Sequence, residues 1–454
     1  MTTILDLIGG TPLVAVQRLD TGPCRLFLKL ENANPSGSIK DRPARAMIEA
    51  AERDGRLKEG GTIVEATAGN TGLGLAFVAA QKGYRTVLVV PDKMSREKIV
   101  HARAMGAEVV LTRSDVGKGH PDYYQDLAAA IARKTAGAIY INQFENPANP
   151  AAHENTTGPE LLRQMNGDID AIVVGVGSGG TLTGIGRFMK KNSPKTQMIL
   201  ADPVGSVLAP LIKTGKMTEA GSWAVEGIGE DFVPPNADLS LVRDAYSISD
   251  RESFGASRDL LREEGVLAGS SSGTLLAAAL RYCRAQSEPK RVVSIVCDSG
   301  AKYLSKVFSD AYLAQEGWTR QRTGKVRDLV INPLREGAAV IVRPEDNLRT
   351  VFARMRASDI SQLPVMSGER LVGLVDESDV LAALLSADNR THAFDRPVSD
   401  VMTTRLETIA ADAPITDLVP FFRKDYVAIV MDGGKFLGLV TRIDLINHFR
   451  IALQ

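Results

Sequence analysis

Short apolar runs alternate with amphipathic segments between residues 25 and 315 of the chain. The runs are rich in β-branched residues and are bounded by Gly, Pro or polar turns, as buried strands are. They read RLFLKLE, TIVEAT, TVLVVP, AEVVLT, AIVVGVG, QMILAD and RVVSIVCD. The segments between them, such as DRPARAMIEAAERDG, NTGLGLAFVAAQKG and TLTGIGRFMKKN, have helical spacing and end in Gly or Asn. This alternation predicts an α/β domain with a doubly wound, mostly parallel sheet.

The pattern changes at WTRQRTGK (318–325), which is polar and slightly basic. We place a first domain at residues 1–316, an exposed linker at 317–324 and a second domain at 325–454. The second domain contains an internal repeat, because ERLVGLVDESDVL (369–381) returns as GKFLGLVTRIDLI (434–446), 65 residues later. The repeat predicts two tandem β-α-β-β-α units, at about 325–385 and 397–450.

Charge and cysteine content narrow the class of partner. Lys plus Arg and Asp plus Glu both number 54, so the chain lacks the charge excess that nucleic acid or an anionic membrane surface would attract. A small-molecule ligand fits better. Cys24, Cys283 and Cys297 are far apart and form no metal-binding motif, which indicates a reducing cytoplasm and no metal site. The N-terminal segment has no signal-peptide pattern, and no stretch reaches the roughly 18 apolar residues of a membrane span.

The segment AIVVGVGSGGTLTG (171–184) predicts a strand, a glycine loop and the start of a helix. Such a junction directs backbone N–H groups and the positive end of a helix dipole at one point, which suits a phosphate. Gly177, Gly179 and Gly180 would let the main chain approach the ligand, and Ser178 and Thr181 would add hydroxyl donors.

The same loop also satisfies the dinucleotide pattern G-x-G-x-x-G, starting at Gly175, with Asp202 at the end of the next predicted strand. The loop alone therefore leaves three possibilities open: a nicotinamide or flavin nucleotide, another phosphate ligand, or a tight turn without a ligand.

NPSGSIKDRPA (34–44) places Lys40 at the predicted start of a helix. Asn34-Pro35, Gly37 and Ser38 form a shaped turn before it, unlike the start of an ordinary surface helix. A lysine amine acts as a nucleophile when it is deprotonated, or is captured as an imine by an aldehyde. Lys40 is therefore a candidate for covalent chemistry as well as for an exposed helix-start lysine.

Four motifs in order, NPSGSIKDR, EATAGNTG (65–72), GVGSGGT (175–181) and AGSSSG (268–273), resemble those of the β-family (fold type II) pyridoxal-phosphate enzymes. The resemblance is closest to the cysteine synthase and cystathionine β-synthase group and covers residues 4–315. It implies a fold of two doubly wound subdomains and an enzyme that carries out β-replacement on an amino acid.

The resemblance also implies roles for individual residues. Lys40 would hold pyridoxal phosphate as an imine and later transfer the Cα proton. Asn70 would bind the 3′ oxygen of the cofactor, and Ser271 its pyridine nitrogen, with Ser270 and Ser272 as competitors and a helix N-cap as the alternative role. The implied phosphate-binding residues are Gly177, Ser178, Gly179, Gly180 and Thr181. The implied substrate-binding residues are Thr67, Gly69, Asn70, Thr71 and, as a second clamp, Gln143.

Two reactions of the group remain open. Cystathionine β-synthases join homocysteine to serine, and cysteine synthases join sulfide to O-acetylserine. WAVEGIGEDFVP (223–234) resembles the first kind, and Glu226 would attract the homocysteine ammonium or be a solvated loop charge. Phe144, often Tyr in cystathionine β-synthases, points to the second kind, and Ala68 stands where many relatives carry Ser. We expect the reaction with serine and homocysteine.

The repeat at 325–450 resembles a pair of CBS motifs (a Bateman module), which many cystathionine β-synthases carry. Such modules bind adenosyl ligands, and Thr441 and Asp444 match the binding pattern, whereas Asp376 replaces the Thr in the first repeat. The resemblance implies S-adenosylmethionine or another adenosyl compound as an effector, with dimerisation alone as the alternative.

The resemblance further implies a homodimer, possibly enlarged through the Bateman modules, and no haem, since no Cys/His arrangement precedes ILDLIGGTPLV. A nucleotide-sensing scaffold with an inactive catalytic fold is the alternative from another class. Lys40, Asn70 and Ser271 are all present and disfavour it.

Overall fold

The computed structural model describes residues 2–67, 69–92, 94, 96–318, 323–331, 333–334, 339–386, 390–424 and 426–452. The chain divides into two compact units, Met1–Phe308 and Ser309–Gln454, which we call the N-terminal and C-terminal units. The division lies upstream of the predicted domain end at residue 316. The linker at 317–324 stays a prediction, because residues 319–322 lie outside the described part.

The strands of the N-terminal unit form two sheets. One has the order β1-β2-β10-β7-β8-β9 and the other β5-β4-β3-β6. β1 is antiparallel to β2, and the other neighbouring pairs are parallel, which confirms the predicted fold class. The strands are β1 (Leu13–Ala15), β2 (Arg25–Leu30), β3 (Thr62–Ala66), β4 (Arg85–Pro91), β5 (Glu108–Thr112), β6 (Ala138–Tyr140), β7 (Ala171–Val174), β8 (Gln197–Pro203), β9 (Val242–Ile248) and β10 (Arg291–Val296).

Helices connect these strands as the crossovers of a parallel sheet require. The three predicted helices are observed as α1, α2 and α7. The helices of this unit are α1 (Asp41–Arg53), α2 (Asn70–Lys82), α3 (Arg96–Ala104), α4 (Tyr124–Lys134), α5 (Ala148–Ala152), α6 (Gly158–Gln164), α7 (Gly180–Asn192), α8 (Leu208–Thr214), α9 (Asp250–Glu264) and α10 (Ser270–Arg284). Over the described ranges, no helix is both long and apolar enough to cross a membrane.

The central strands do not alternate between apolar and polar residues, because both of their faces are buried. β3 and β7 are buried along their whole length, because helices cover both faces of a parallel sheet. Met47 and Ile48 of α1 pack with Ile63 of β3 and Leu75 of α2 in one apolar cluster. The loops after β3, β7 and β10 carry the EATAGNTG, GVGSGGT and CDSGAKY residues, which places them where parallel sheets bind ligands.

The C-terminal unit contains a two-stranded sheet, β11-β12, and a three-stranded sheet, β13-β14-β15. Its strands are β11 (Gln362–Ser367), β12 (Arg370–Asp376), β13 (Thr408–Ala410), β14 (Ala428–Asp432) and β15 (Lys435–Val440). Its helices are α11 (Asp310–Gln315), α12 (Leu348–Ser358), α13 (Glu377–Leu385), α14 (Arg390–Ala393), α15 (Val419–Arg423) and α16 (Arg442–Ala452).

The two repeats share detail beyond their sequence. Both hairpins are irregular at the same point, between Val365 and Met366 in β11 and between Val430 and Met431 in β14. The second repeat has the predicted β-α-β-β-α order. In the first, a single parallel bridge at Val342 replaces the first strand.

Glu65 is a carboxylic acid inside the strand β3, with no exposed surface. Burial raises the pKa of Glu65 from 4.5 to about 8, and backbone N–H groups near Gln143 only partly oppose the rise. Between these two pH values the folded protein holds a proton that the unfolded chain releases. The folded state therefore loses stability as the pH rises from 4.5 towards 8.

We expect Glu65→Gln to remove this loss, because the amide cannot ionise. The stability advantage of the variant over the natural protein should grow with pH between 5 and 8, by roughly 1 kcal/mol per unit. Denaturant unfolding at several pH values measures it, with Glu108→Gln, exposed on β5, as the control. If the free energies of unfolding of the Glu65 variant and the natural protein change in parallel with pH, the Glu65 carboxyl group is ionised over the whole range from pH 5 to 8.

Candidate active site

The turn that carries Lys40 is held at several points. Gly37 has a φ of 77°, a conformation that favours glycine. Its carbonyl accepts a hydrogen bond from Ser299 N–H at 3.0 Å, and Ile39 N–H donates to the Cys297 carbonyl at 2.8 Å. The turn is therefore fixed against the chain that follows β10, and Lys40 directly precedes α1.

Lys40 is half-buried. Desolvation lowers its pKa below the ordinary value of 10.5, while the acidic groups of Cys297, Asp298 and Glu230 act in the opposite direction. A lowered pKa favours the neutral amine, which is the form that attacks a carbonyl carbon.

A group of buried charged side chains lies next to the Lys40 turn. Arg42 donates from Nε to Glu31 Oε2 at 2.7 Å and from its second terminal nitrogen to Glu160 Oε2, also at 2.7 Å. Lys29 Nζ donates to Glu160 Oε2 at 2.8 Å and to the Thr11 carbonyl at 2.7 Å. Burial opposes ionisation of Glu160, but its hydrogen bonds and charge contacts with Arg42 and Lys29 lower its pKa to about 2. The start of α1 is thus tied to β2 and α6.

The glycine loop forms a close-packed cradle between β7 and α7. A Cβ on Gly177 would lie 2.6 Å from the Gly227 carbonyl oxygen. Gly179 has a φ of 85°, and a Cβ there would meet the Ala237 backbone at 2.6 Å. Gly180 begins α7, a helix of 13 residues whose first N–H groups have no intrahelical partner. The loop therefore offers backbone donors in a place where side chains do not fit.

The hydroxyl groups of the loop have protein partners. Ser178 Oγ accepts from Asn149 Nδ2 at 2.9 Å, and Thr181 Oγ1 lies 3.3 Å from His153 Nε2. Burial, followed by the positive charge of Lys40, lowers the pKa of His153 well below its ordinary value, so its ring is neutral. Sequence reasoning missed His153 because it lies in a π-helical turn without a motif.

Asn70 is the first residue of α2, and both the nitrogen and the oxygen of its side-chain amide make hydrogen bonds. Asn70 Nδ2 donates to Asp298 Oδ2 at 2.6 Å, and Asn70 Oδ1 accepts from Lys302 Nζ at 2.9 Å. Tyr303 Oη also donates to Asp298 Oδ2, at 2.6 Å. The loop after β3 is thereby joined to the loop after β10.

The three serines of AGSSSG open α10. Gly269 occupies the N-cap, so the N-cap alternative for Ser271 is wrong. Both flanking hydroxyl groups accept from backbone N–H groups, Ser270 at 3.1 Å and Ser272 at 2.9 Å. The Ser271 hydroxyl interacts with the Cys297 thiol, next to Asp298. Ser271 thus differs from the other two, because its hydroxyl has a side-chain partner and theirs accept from the backbone, and its choice among the three stays a prediction.

The predicted substrate loop and the predicted second clamp are in contact. Thr71 Oγ1 donates to Gln143 Oε1 at 2.6 Å, and Gln143 Nε2 lies 3.5 Å from the Ala66 carbonyl. Thr67 Oγ1 accepts from Gly69 N–H at 3.1 Å. Ala68, between these residues, lies outside the described part of the chain.

Glu226 is buried between two lysines. Lys98 Nζ lies 2.5 Å from Glu226 Oε2, and Lys306 Nζ lies 2.7 Å from Glu226 Oε1. Burial opposes ionisation of Glu226, but these two charges hold its pKa below the ordinary value. The solvated-charge alternative for Glu226 is therefore wrong, since the residue is 8% exposed.

Sequence reasoning missed the residues that follow β10. Asp298, Lys302, Tyr303 and Lys306 all contact a predicted site residue, directly or through Asp298. Lys98 of α3 lies over the Tyr303 ring, 4.4 Å from its centroid. The residues after β10 could have been predicted from their place in the sequence, because the carboxyl ends of parallel strands meet at one edge of a sheet, where ligands bind.

In the C-terminal unit the predicted effector residues are adjacent. Thr441 N–H and Oγ1 both donate to Asp444 Oδ2, at 2.7 and 2.6 Å. In the first repeat, Asp376 and Asp379 cap the start of α13 through reciprocal hydrogen bonds. The two repeats thus present a hydroxyl-carboxylate pair and a pair of carboxylates at equivalent helix starts.

Two different families of known proteins match the N-terminal and the C-terminal unit. Residues 4–298 match the family described as "Pyridoxal-phosphate dependent enzyme", and residues 326–386 and 398–451 each match the CBS domain. The chain belongs to the pyridoxal-phosphate-dependent enzyme family. The CBS-motif pair predicted for the C-terminal unit is confirmed, and the dinucleotide interpretation of the glycine loop is wrong.

Relatives in this family divide into two kinds. Cystathionine beta-synthase of Mus musculus is 35% identical over 98% of this chain and 85% of its own length. Cysteine synthase of Staphylococcus aureus is 42% identical over 66% of this chain and 95% of its own length. A hydrogen sulfide-producing enzyme from Fusobacterium nucleatum, a solved structure, is 36% identical with a TM-score of 0.63, covering 67% of this chain and all of that one. The protein is a pyridoxal-phosphate-dependent lyase of the cystathionine β-synthase type.

The residues present fit the family's cofactor. The glycine cradle excludes side chains and offers backbone donors to a phosphate, and Lys40 is a desolvated amine suited to bind an aldehyde. The described residues also contain no group of three His, Cys, Asp or Glu side chains placed to bind a metal ion.

We expect Glu226→Gln to destabilise the N-terminal unit by about 3 kcal/mol, because it leaves the buried amine of Lys98 without its charged partner. Glu49→Gln is the matched control: its ion pair with Arg45 has the same 2.7 Å length as the Lys306–Glu226 pair but is about one third exposed, and its loss should cost below about 1 kcal/mol. Denaturant unfolding of both variants measures the difference. Equal effects would mean that the buried carboxylate contributes no more than a surface one.

Proposed function

We propose that this protein condenses L-serine with L-homocysteine to cystathionine and water, using pyridoxal phosphate bound at Lys40. The observation that carries the proposal is the extent of the similarity. The cystathionine β-synthases of Mus musculus and Saccharomyces cerevisiae match 98% of the chain, through both the catalytic region and the CBS pair, whereas the cysteine synthase of Staphylococcus aureus matches 66% of it.

In this proposal three parts of the N-terminal unit hold the cofactor. Lys40 binds its aldehyde carbon covalently, and the backbone of Gly177 to Thr181 binds its phosphate at the positive end of α7. Asn70 donates to its 3′ oxygen, and Ser271 faces its pyridine nitrogen. Support comes from the lowered pKa of the Lys40 amine, from the cradle and from the hydrogen bonds that the other two serines accept from backbone N–H groups.

Bound pyridoxal phosphate withdraws electrons from the Cα of an attached amino acid and makes its Cα proton acidic. Lys40 Nζ, displaced by the substrate amine, takes this proton and later returns it to the same carbon. Desolvation suits Lys40 to this role, since it lowers the pKa of the amine towards neutrality. The C–O bond at Cβ breaks and the hydroxyl leaves as water, while the homocysteine sulfur bonds to Cβ and gives up the thiol proton, which balances the one in that water.

The substrate carboxylate is proposed to bind at the start of α2, to Thr67, Gly69, Asn70 and Thr71, with Gln143 closing the other side. The N-terminal end of a helix favours an anion. The 2.6 Å hydrogen bond between Thr71 and Gln143 supports this set, because it holds the loop and the clamp together before any substrate arrives.

Glu226 remains a proposed contact for the homocysteine ammonium. Any such contact requires the ammonium to share the carboxylate with Lys98 and Lys306, which already occupy both of its oxygen atoms. The contact is therefore weaker than the sequence alone indicates.

For the C-terminal unit we propose regulation by an adenosyl ligand, S-adenosylmethionine in particular, at Thr441 and Asp444. Association through this unit alone is the alternative. We also propose a homodimer in the cytoplasm. The free thiols of Cys24, Cys283 and Cys297 are consistent with a reducing compartment.

Synthesis of cysteine from O-acetylserine and sulfide is the second candidate, and Phe144 favours it. The Phe144 ring packs against Phe232, with centroids 5.8 Å apart, and offers no hydroxyl group to a substrate. Both reactions use the same residues around Lys40, so products must decide between them.

The purified protein, loaded with pyridoxal phosphate, should be given serine with homocysteine, and separately O-acetylserine with sulfide, each with and without S-adenosylmethionine. We expect cystathionine to be the main product, a higher rate with S-adenosylmethionine, and a loss of about 10²-fold or more in Lys40→Ala, in which the proton carrier is missing. Mass spectrometry quantifies both products.

If cysteine is the main product, the second candidate is favoured, and Phe144 indicates the reaction better than the presence of the C-terminal unit does. Absence of both products, despite bound cofactor, would contradict the enzyme proposal and favour a sensing scaffold.

A further inference from the structure

Lys302 is a buried lysine that the proposed chemistry does not use. It ends the short 3₁₀ helix Gly300–Lys302 and is 5% exposed. Its Nζ donates to Asn70 Oδ1 at 2.9 Å and lies 3.3 Å from the Gly37 carbonyl oxygen. One amine therefore joins the loop that precedes Lys40 to the residue proposed to bind the 3′ oxygen of the cofactor.

The chemistry of the two partners of Asn70 decides which way its amide faces. A lysine ammonium has donors only, and a carboxylate has acceptors only. Lys302 therefore requires Oδ1 on its side, and Asp298 requires Nδ2 on the other side. An amide between two such groups cannot turn over without losing both hydrogen bonds.

The same arrangement decides where the Asn70 nitrogen lies. Its amide nitrogen donates to Asp298 and interacts with the Tyr303 hydroxyl, so both partners hold it on one side. Asp298 is itself completely buried and is held by Tyr303 Oη. The direction of the Asn70 nitrogen is thus set by groups that contact neither cofactor nor substrate in the proposal.

We propose that Lys302 is a positioning residue, which fixes the Asn70 amide so that its nitrogen, and not its oxygen, is presented to the 3′ oxygen of bound pyridoxal phosphate. The inference rests on the proposed function, because it assigns Asn70 the contact given there. Lys302 acts only through Asn70, and it anchors that residue to the Lys40 turn through the Gly37 carbonyl. A lysine suits this place because Asp298 compensates its buried charge.

The test compares Lys302→Met, Asn70→Ala and the double variant in the full chain. Two quantities are measured: the dissociation constant of pyridoxal phosphate from the protein, and the pH midpoint of the visible absorption band of the bound cofactor. Lys302→Met should weaken cofactor binding about tenfold and move the pH midpoint in the same direction as Asn70→Ala does. Lys195→Met, a lysine exposed at the surface beside Asp168, is the control and should change neither quantity.

The double variant separates positioning from general support of the fold. If Lys302 acts through Asn70, then Lys302→Met adds little to Asn70→Ala in either quantity. Independent, additive effects would overturn the inference, as would an unchanged spectrum and affinity in Lys302→Met. Lys302→Gln, which keeps an N–H donor, should retain most of the natural spectrum, and it replaces the Met variant if that protein does not fold.

Failure of the inference differs from failure of the proposed function. If the natural protein binds no pyridoxal phosphate with a visible band, both are wrong. If it binds the cofactor and Lys302→Met behaves as the control does, only the inference about Lys302 is wrong.

Discussion

The buried ion pairs of Arg42 constrain everything around the Lys40 turn. Arg42 lies two residues beyond Lys40 and joins carboxylates from two distant segments, Glu31 and Glu160. Removing one partner from a buried pair typically costs 3–5 kcal/mol, because a charge remains without compensation. A shift of the Lys40 turn would move Arg42 away from its carboxylate partners and would therefore carry this free-energy cost. Lys40 is therefore held by charges that take no part in the chemistry proposed for it.

The site itself is shared between parts of the chain that are far apart in sequence. Residues 37–39 bond to the backbone at 297–299, and Asn70 bonds to Asp298 and Lys302. The loop after β10 is thus a common support for the segments that carry Lys40 and Asn70. Folding of the first third of the chain cannot complete the site before residue 303 is in place.

Sequence reasoning recovered the elements whose residues repeat a simple pattern. The buried parallel strands were found because they are apolar throughout, and α1, α2 and α7 because their helical spacing is clear. It missed β1 and β6, which have three residues each, and β9 (VRDAYSI), in which Arg243 and Asp244 interrupt the apolar run. It also could not place Lys302 or Lys98, because an isolated lysine has no signature until its neighbours in space are known. The contrast between Ser270, Ser271 and Ser272 likewise depends on hydrogen bonds that one sequence cannot show.

The two halves of the C-terminal unit have the same fold irregularity but different helix caps. At Thr441 a hydroxyl group donates to Asp444, whereas at Asp376 a second carboxylate faces Asp379, whose pKa is raised by burial and by that charge. The first helix start thus carries two carboxylates and the second carries one, so a negatively charged ligand would meet stronger repulsion at the first. The repeat is therefore symmetric in backbone and asymmetric in electrostatics. An anionic ligand offered to both helix starts would fill the second before the first.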